Sequence, residues 1–368
     1  MPSRRSHTKS HHGCTQCKQR QIKCDEARPA CGSCRRKQLP CDFQSFAPQP
    51  FSPPPSIADI TLGRPGSSAL PLLDLELLHH WHTATANYLA DAKPLQDVIR
   101  TVMPHEGLAN PFLMHSVLAV SALHRAHSAP LSHGQMYADA AMTHHSRSLA
   151  LCTPLFKNIS RQNCHALFAL SCLVPVFVFA SRSPRQNPSF QSLIAVVDAF
   201  RLIRGAASVV NQARSWIEQG PLHLLLRVGQ FQKPIATAAK RYAVALYAQL
   251  QSLHLNLPQA GPSLNSEPFA PNMNGSIKNL LDLLQLYLQS GDSRTIMAWP
   301  VVVDPSYFDC LLRKERIALL TLAFYGCSLQ ILSEHWWLEG WGEFLLQLAR
   351  DHLPGADKEL INIINVPT

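Results

Sequence analysis

The sequence predicts a three-part chain: a small cysteine-built module at the N-terminus, a proline-rich linker, and an all-α body of about ten helices. Three observations predict it. Six of the 11 cysteines lie within the first 41 residues. Seven prolines lie within residues 42–71. From Leu72 onward, apolar residues recur every three or four positions, the spacing of one helix face. The segments are therefore a basic arm (1–13), the cysteine module (14–41), the linker (42–71) and the helical body (72–368).

Charge separates the same parts. The chain has 368 residues and a net charge of +9, of which residues 1–41 carry +8 and the remainder +1. A basic end on a near-neutral body points to an acidic polymer or an anionic surface as partner. Hydrophobic residues make up 46% and charged residues 15%. That composition excludes a largely disordered chain and allows a sizeable core. Met1 to Gly13 is polar and basic with no apolar run behind it, unlike a secretory signal. The most apolar stretch, Ala166–Ala180, contains Pro175 and falls short of the roughly 20 residues a bilayer span needs. It reads as a buried core helix. A soluble intracellular chain is expected, and there clustered cysteines indicate metal rather than disulfides.

In the first segment, Cys14, Cys17, Cys24, Cys31, Cys34 and Cys41 follow the spacing C-x2-C-x6-C-x6-C-x2-C-x6-C. The pattern is an internal repeat with a 17-residue offset, and both halves read C-x-x-C-basic-x-basic-Gln-aliphatic-x-C. Zinc takes four ligands in a tetrahedron, and thiolates suit it. Six sulfurs satisfy two Zn2+ ions when two of them bridge. By symmetry the bridges are the first cysteines of each half, Cys14 and Cys31. Each Cys-x-x-Cys pair places two sulfurs one helical turn apart, and the third arrives from the end of a short helix. Pro29 and Pro40 stop each half before Cys31 and Cys41. So few apolar side chains cannot fold this segment alone, so metal supplies the folding energy. A sequestering peptide would not require the repeated basic positions.

This segment resembles the fungal Zn2Cys6 binuclear-cluster DNA-binding domain, matching all six cysteines in order and spacing. The resemblance implies Cys14, Cys17, Cys24 and Cys31 on one zinc, and Cys14, Cys31, Cys34 and Cys41 on the other. It also implies a helix after the second cysteine that enters the major groove of double-stranded DNA over CGG-like triplets. On such a helix Lys18, Gln19, Arg20, Gln21 and Lys23 are exposed, and Ile22 is an aliphatic plug under the cluster. Arg20 and Gln21 match the family's base-reading pair, usually two basic residues, so Gln21 is a departure that bears on the triplet. Lys18 and Lys23 are expected on phosphates, with Arg35, Arg36 and Lys37 tracking the backbone in the second half. Arg4, Arg5 and Lys9 form a basic arm. With Arg35-Arg36-Lys37, the pair Arg4-Arg5 also fits a nuclear import signal, and the nucleus is the expected location.

No heptads follow the module. One cluster makes a small interface, which leaves a monomer or a homodimer through the body open. In the body, Leu77, Trp81, Ala84 and Tyr88 form one helical stripe. Tyr242, Leu246, Leu250, Leu253 and Leu257 form another, stopped by Pro258. Ile277, Leu280, Leu281, Leu284 and Leu288 form a third, stopped by Gly291. Further helical runs occupy about 112–127, 135–151, 160–180, 190–211, 306–332 and 340–352. Val301–Val303 is the best strand signal, with an irregular turn at Trp299-Pro300.

The segments Asp74–Trp81, Trp299-Pro300 and His335–Trp341 resemble the regulatory body of fungal regulators of the sterol-uptake-control type. That resemblance implies a regulator of metabolic genes, for sterol metabolism or uptake or for a secondary-metabolite gene cluster. It also implies an apolar, sterol-like ligand in a helical pocket. Phe324, Tyr325, Trp336, Trp337 and Trp341 are the candidate lining residues, with plain core packing as the alternative.

An enzyme is not expected. No G-x-S-x-G, Walker loop, G-x-G-x-x-G or H-E-x-x-H occurs. The histidine groups at His79, His80 and His82 and at His144-His145 lack metal-ligand spacing. Cys152, Cys164, Cys172, Cys310 and Cys327 sit in apolar surroundings as inert thiols.

Overall fold

A computed structural model describes residues 13–27, 30–43, 70–184, 192–257, 273–355 and 357. The basic arm, Arg28, Pro29 and most of the linker lie outside the described residues. The chain divides into two compact units, Met1–Ala69 and Leu70–Thr368.

The first unit contains α1 (Thr15–Gln19) and α2 (Gly32–Lys37). Isolated helices this short are not stable in water. Their only buried residues are Cys17 and Cys34, which face the sulfur cluster. Ala30, Leu39 and Phe43 pack against the cysteines. Ile22 does not plug the cluster, because its side chain is 41% exposed. α1 starts at Thr15, before the second cysteine, and ends at Gln19. Arg20 caps it, and Gln21 then takes a left-handed φ of 53° that turns the chain and leaves Ile22 facing out. Gln38, its repeat partner, closes α2 with a φ of 52°.

The second unit is all-α among its described residues. Its main helices are α3 (Leu72–Thr83), α4 (Pro111–Ser128), α5 (Leu131–Cys152), α6 (Cys164–Ser181), α7 (Leu193–Glu218), α8 (Thr237–Asn256), α9 (Met273–Ser290), α10 (Ser306–Leu312), α11 (Arg316–Gln330) and α12 (Trp341–His352). The pairs α4–α5, α11–α12 and α6–α7 form the principal contacts, followed by α4 against α6, α3 against α4 and α8 against α9. α6 is long and apolar enough by composition to cross a membrane, but it is a mostly buried core helix against α4 and α7. The Ser192 hydroxyl caps α7 by accepting from the Ala195 N–H at 3.2 Å.

Three expectations are corrected. Trp299–Val302 is a short helical turn rather than an irregular turn before a strand. Pro300 sits in its first turn, where the missing N–H costs no intrahelical bond. The run 306–332 is two helices, because Lys314 takes a φ of 58° between α10 and α11. The stripe through Leu77 and Trp81 ends at Thr83, and Tyr88 belongs to a separate 3-10 turn where it is exposed.

Aromatic side chains fill the body's centre. The Trp299 and Tyr325 rings lie 4.6 Å apart, and Phe200 meets Tyr325 edge-on at 5.7 Å. Trp341 donates from Nε1 to the Phe179 carbonyl at 2.9 Å, near the end of α6. Helices α11 and α12 approach backbone to backbone at Gly326 and Gly342. A Cβ on Gly342 would lie 2.8 Å from the Gly326 carbonyl.

Candidate metal centre and nucleic-acid interface

The six cysteines form two overlapping groups. Cys14, Cys17, Cys24 and Cys31 converge within 4.8 Å of one another, as do Cys14, Cys31, Cys34 and Cys41. Cys14 and Cys31 belong to both, so they occupy the bridging positions. Their Sγ atoms lie 3.7 Å apart, with Cys14–Cys34 and Cys17–Cys31 each at 3.6 Å. A tetrahedral zinc with Zn–S bonds near 2.3 Å has sulfur–sulfur edges of about 3.8 Å. All six sulfurs are buried, and the donor set is pure thiol. The site therefore fits two zinc ions.

Packing these sulfurs together has an electrostatic cost without metal. Burial first, and sulfur neighbours second, push the Cys17 and Cys34 thiols up, Cys34 to about 12. Burial opposes ionisation of Cys31 too, but the Cys34 N–H and adjacent sulfurs bring its thiol down to about 6. Zinc supplies the positive charge that lets all six be thiolates, and loading releases protons.

The 17-residue repeat governs the backbone as well. The Cys14 N–H donates to Cys24 Sγ at 3.5 Å, and the Cys31 N–H donates to Cys41 Sγ at 3.5 Å. The Ile22 N–H reaches the Cys17 carbonyl at 3.1 Å, and the Leu39 N–H reaches that of Cys34 at 3.1 Å. Two carboxylates cross between the halves. Asp42 Oδ2 accepts from the Thr15 N–H at 2.7 Å, and both oxygens of Asp25 accept from the Gly32 N–H at 3.0 Å. A Cβ on Gly32 would lie 2.5 Å from Asp25 Oδ2, so glycine makes room for that carboxylate. Hydrogen bonds from the Thr15 side chain and backbone, with Lys18 nearby, hold the Asp42 carboxyl below the usual range. Sequence reasoning missed both acids. The signal was available: each directly follows the third cysteine of its half, so the repeat extends one residue further.

Lys18, Arg20, Gln21 and Lys23 are all exposed. Only Lys18 lies on α1; Arg20 and Gln21 follow on the turn and Lys23 on the irregular segment behind it. Arg35, Arg36 and Lys37 are exposed along the last turn of α2, and Arg36 donates from Nε to the Gly32 carbonyl at 3.4 Å. With two Zn2+ and six thiolates contributing −2, residues 1–41 retain a formal charge of about +6.

In the body, Phe324, Tyr325, Trp337 and Trp341 are buried. Trp336 stacks on His124 at 4.8 Å. Trp337 lines a cavity of about 350 Å³ together with Phe168, Cys172, Pro175 and Arg294. Among the described residues, the buried indole N–H groups of Trp336 and Trp337 have no hydrogen-bond partner. A larger, mostly apolar cavity of about 640 Å³ opens among α4, α5, α6 and α7, lined by Val120, Leu149, Phe177 and Leu202. None of the five aromatic candidates lines it.

The histidine groups pair across helices. His80 Nε2 lies 3.2 Å from His124 Nδ1, and His115 Nδ1 lies 3.0 Å from His144 Nδ1. A third set of ligand-type atoms, from Asp91, Glu334 and His335, surrounds the Lys233 ammonium, which sits 2.9 Å from both carboxylates. A lysine thus fills the place a cation would take. Burial pushes the Cys172 thiol up to about 12 and those of Cys310 and Cys327 up to about 11, which keeps them protonated.

Residues 12–50 match the fungal Zn(2)-Cys(6) binuclear cluster domain. Over 341 residues the chain is 25% identical to the Zn(2)-C6 fungal-type transcription factor afumD of Aspergillus fumigatus, covering 86% of this chain and 84% of that protein. It is 50% identical over 306 residues to sterol uptake control protein 2 of Candida albicans, covering 78% of this chain and 41% of that one. The protein of the same name from Saccharomyces cerevisiae is 48% identical over 307 residues, covering 79% and 32%. The chain thus spans less than half the length of the two sterol uptake control proteins. The first is named as a transcription factor and the other two for the control of sterol uptake, and none is named as an enzyme. A binuclear thiolate centre that fits two zinc ions and the match over residues 12–50 identify a fungal Zn(2)-Cys(6) binuclear cluster domain at the N-terminus, and the chain as a whole resembles Zn(2)-C6 fungal-type transcription factors and the sterol uptake control type.

Proposed function

We propose that the chain is a nuclear regulator of metabolic genes that reads double-stranded DNA through α1 and the turn behind it. The observation that carries this reading is the exposed row Lys18, Arg20, Gln21 and Lys23 on a metal-fixed scaffold. Arg20 and Gln21 read base edges, Arg favouring guanine O6 and N7 and Gln favouring adenine. Lys18, Lys23, Arg35, Arg36 and Lys37 hold phosphates, which sets affinity and salt dependence rather than sequence choice. Gln21 in place of a second basic residue shifts preference away from a plain CGG triplet. One such module makes a small interface, so tight binding uses a second copy joined through the helical body.

Selection of duplexes from a randomised library by the zinc-loaded protein tests this reading. A preferred motif that Arg20→Ala abolishes supports it. Lys23→Ala should weaken all duplexes alike and reduce the salt slope by about one. Equal binding of every duplex by wild type and Arg20→Ala would sink it.

A second reading adds an apolar ligand, sterol-like in the resemblance, to the body. The two apolar cavities favour it, one of them lined by Trp337. Lipid extracted from natively purified protein, or a ligand-dependent melting shift, tests it. No extracted lipid and no shift across a sterol and isoprenoid panel would remove it.

A further inference from the structure

We propose that Asp25 and Asp42 are crossed caps, each half of the cluster holding the helix of the other, and that Asp42 is a positioning residue for α1. The role in DNA reading rests on the function proposed above; the caps themselves do not.

α1 has five residues and no side-chain hydrogen bond from its own N-cap, Cys14. With no full cap hydrogen bond from Cys14, the open N–H groups of α1 need another acceptor. Asp42 supplies it from 27 residues away, at 2.7 Å. A carboxylate at a helix N-terminus satisfies a donor and meets the positive end of the helix dipole.

The two halves are not equivalent in this respect. α2 has a second support, because Cys31 Sγ accepts from the Cys34 N–H at 3.4 Å. In α1 the Cys17 N–H also acts on the Cys14 sulfur, but more weakly and without a full cap hydrogen bond, so α1 leans more on its crossed carboxylate than α2 does. Loss of Asp42 therefore loosens the DNA-facing helix. Loss of Asp25 loosens α2, whose basic residues face the phosphate backbone.

Electrostatics makes the test sharp. A carboxylate on a surface that meets phosphates opposes binding, so removal of an idle acid tightens every duplex. Removal of a positioning cap weakens the selected duplex instead. The two roles give opposite signs.

The experiment uses the full zinc-loaded chain with D42A, D42N and D25A, a duplex selected by wild type, and a shuffled control. With two zincs retained, D42A should bind the selected duplex about five- to tenfold more weakly, while the control binds unchanged or tighter. D25A should leave the ratio of selected to control binding within about twofold. Hydrogen exchange by mass spectrometry should rise over 13–20 in D42A and over 30–38 in D25A. D42A binding the selected duplex as tightly as wild type, or each variant loosening only its own half, overturns the proposal. Where D42A loses metal, D42N decides, since it keeps an acceptor oxygen. Its loosening over 13–20 upholds the crossed cap, and loosening confined to 30–43 overturns it. If wild type selects no duplex, the DNA reading fails, and the exchange pattern alone upholds or overturns the caps.

Discussion

The Sγ atoms of Cys14 and Cys31 lie 3.7 Å apart, and each belongs to both groups of four thiols. Bridging and terminal sulfurs should therefore fail differently. Cys14→Ala or Cys31→Ala removes a ligand from both zincs, and metal content should fall from two per chain towards zero. Cys17→Ala or Cys41→Ala removes a ligand from one, so about one zinc should remain under mild chelation. Native mass spectrometry reads both numbers directly. Equal zinc loss in all four variants would contradict the bridging assignment.

The metal module was legible in sequence because ligand chemistry leaves a spacing signature. Six cysteines with an internal repeat specify two tetrahedra before any fold is known. The crossed acids Asp25 and Asp42 were not read, because one acid beside a cysteine looks like surface charge until its helix partner is placed. Ile22 was misplaced because periodicity does not reveal the left-handed turn at Gln21. In the body, stripes such as Tyr242, Leu246 and Leu250 named helices correctly, since a buried face must repeat at helical spacing. The break at Lys314 and the turn at Trp299–Val302 escaped, because both are set by local backbone geometry rather than by period.

Two glycines should respond to alanine in opposite ways. Gly291 follows α9 with a φ of 70°, and a Cβ there would lie 2.1 Å from the Lys233 carbonyl. Gly291→Ala should destabilise the body by about 2–4 kcal/mol, from left-handed backbone and a backbone clash together. Gly205 is exposed within α7, and a Cβ there meets nothing within 4 Å. Gly205→Ala should stabilise by about 0.5–1 kcal/mol through helix propensity and the unfolded chain. Urea unfolding of both variants provides the comparison; a neutral Gly291→Ala would refute the packing argument.

Stability should fall on mild acidification. Burial first, then the neighbouring charges of His80, His127 and Arg125, pushes His124 down to about 4. Burial and Arg182 push His145 down to about 4 as well. Below its ordinary value near 6.5, each imidazole takes up a proton in the unfolded chain but not in the folded one. Stability is therefore full at neutral pH and is lost progressively as pH falls from 6.5 towards 4. His124→Gln, which retains an acceptor for Thr85, should flatten the melting temperature between pH 6.5 and 4.5 relative to wild type. A parallel pH profile in variant and wild type would remove His124 as a cause.

The ion cluster around Lys233 makes the last prediction. Its ammonium lies 2.9 Å from Asp91 Oδ1 and 2.9 Å from Glu334 Oε1, and the Asp91 side chain is only 6% exposed. Asp91 also accepts from the Ser293 N–H at 2.8 Å, which ties the turn after α9 to the segment after α3. Lys233→Met removes the counter-charge and leaves Asp91 buried with only the Ser293 donors and with His335 3.9 Å away. Breaking one side of a buried pair costs about 3 kcal/mol or more, whereas loss of the exposed Glu334 contact alone costs about 0.5 kcal/mol. Lys233→Met should therefore destabilise the body far more than Glu334→Gln. Burial raises the Asp91 carboxyl, but bonds from Ser293 and Lys233 outweigh it and leave the carboxyl below its ordinary value. Its contribution is thus present above the ordinary carboxylate range and is lost as pH falls through the lowered value. Acid should narrow the gap between Lys233→Met and wild type, because without the ammonium the buried carboxyl takes up its proton at a higher pH in the variant than in wild type. Denaturant titrations at pH 7 and pH 3.5 measure that gap, and an equal gap at both would exclude Asp91 as the partner that matters.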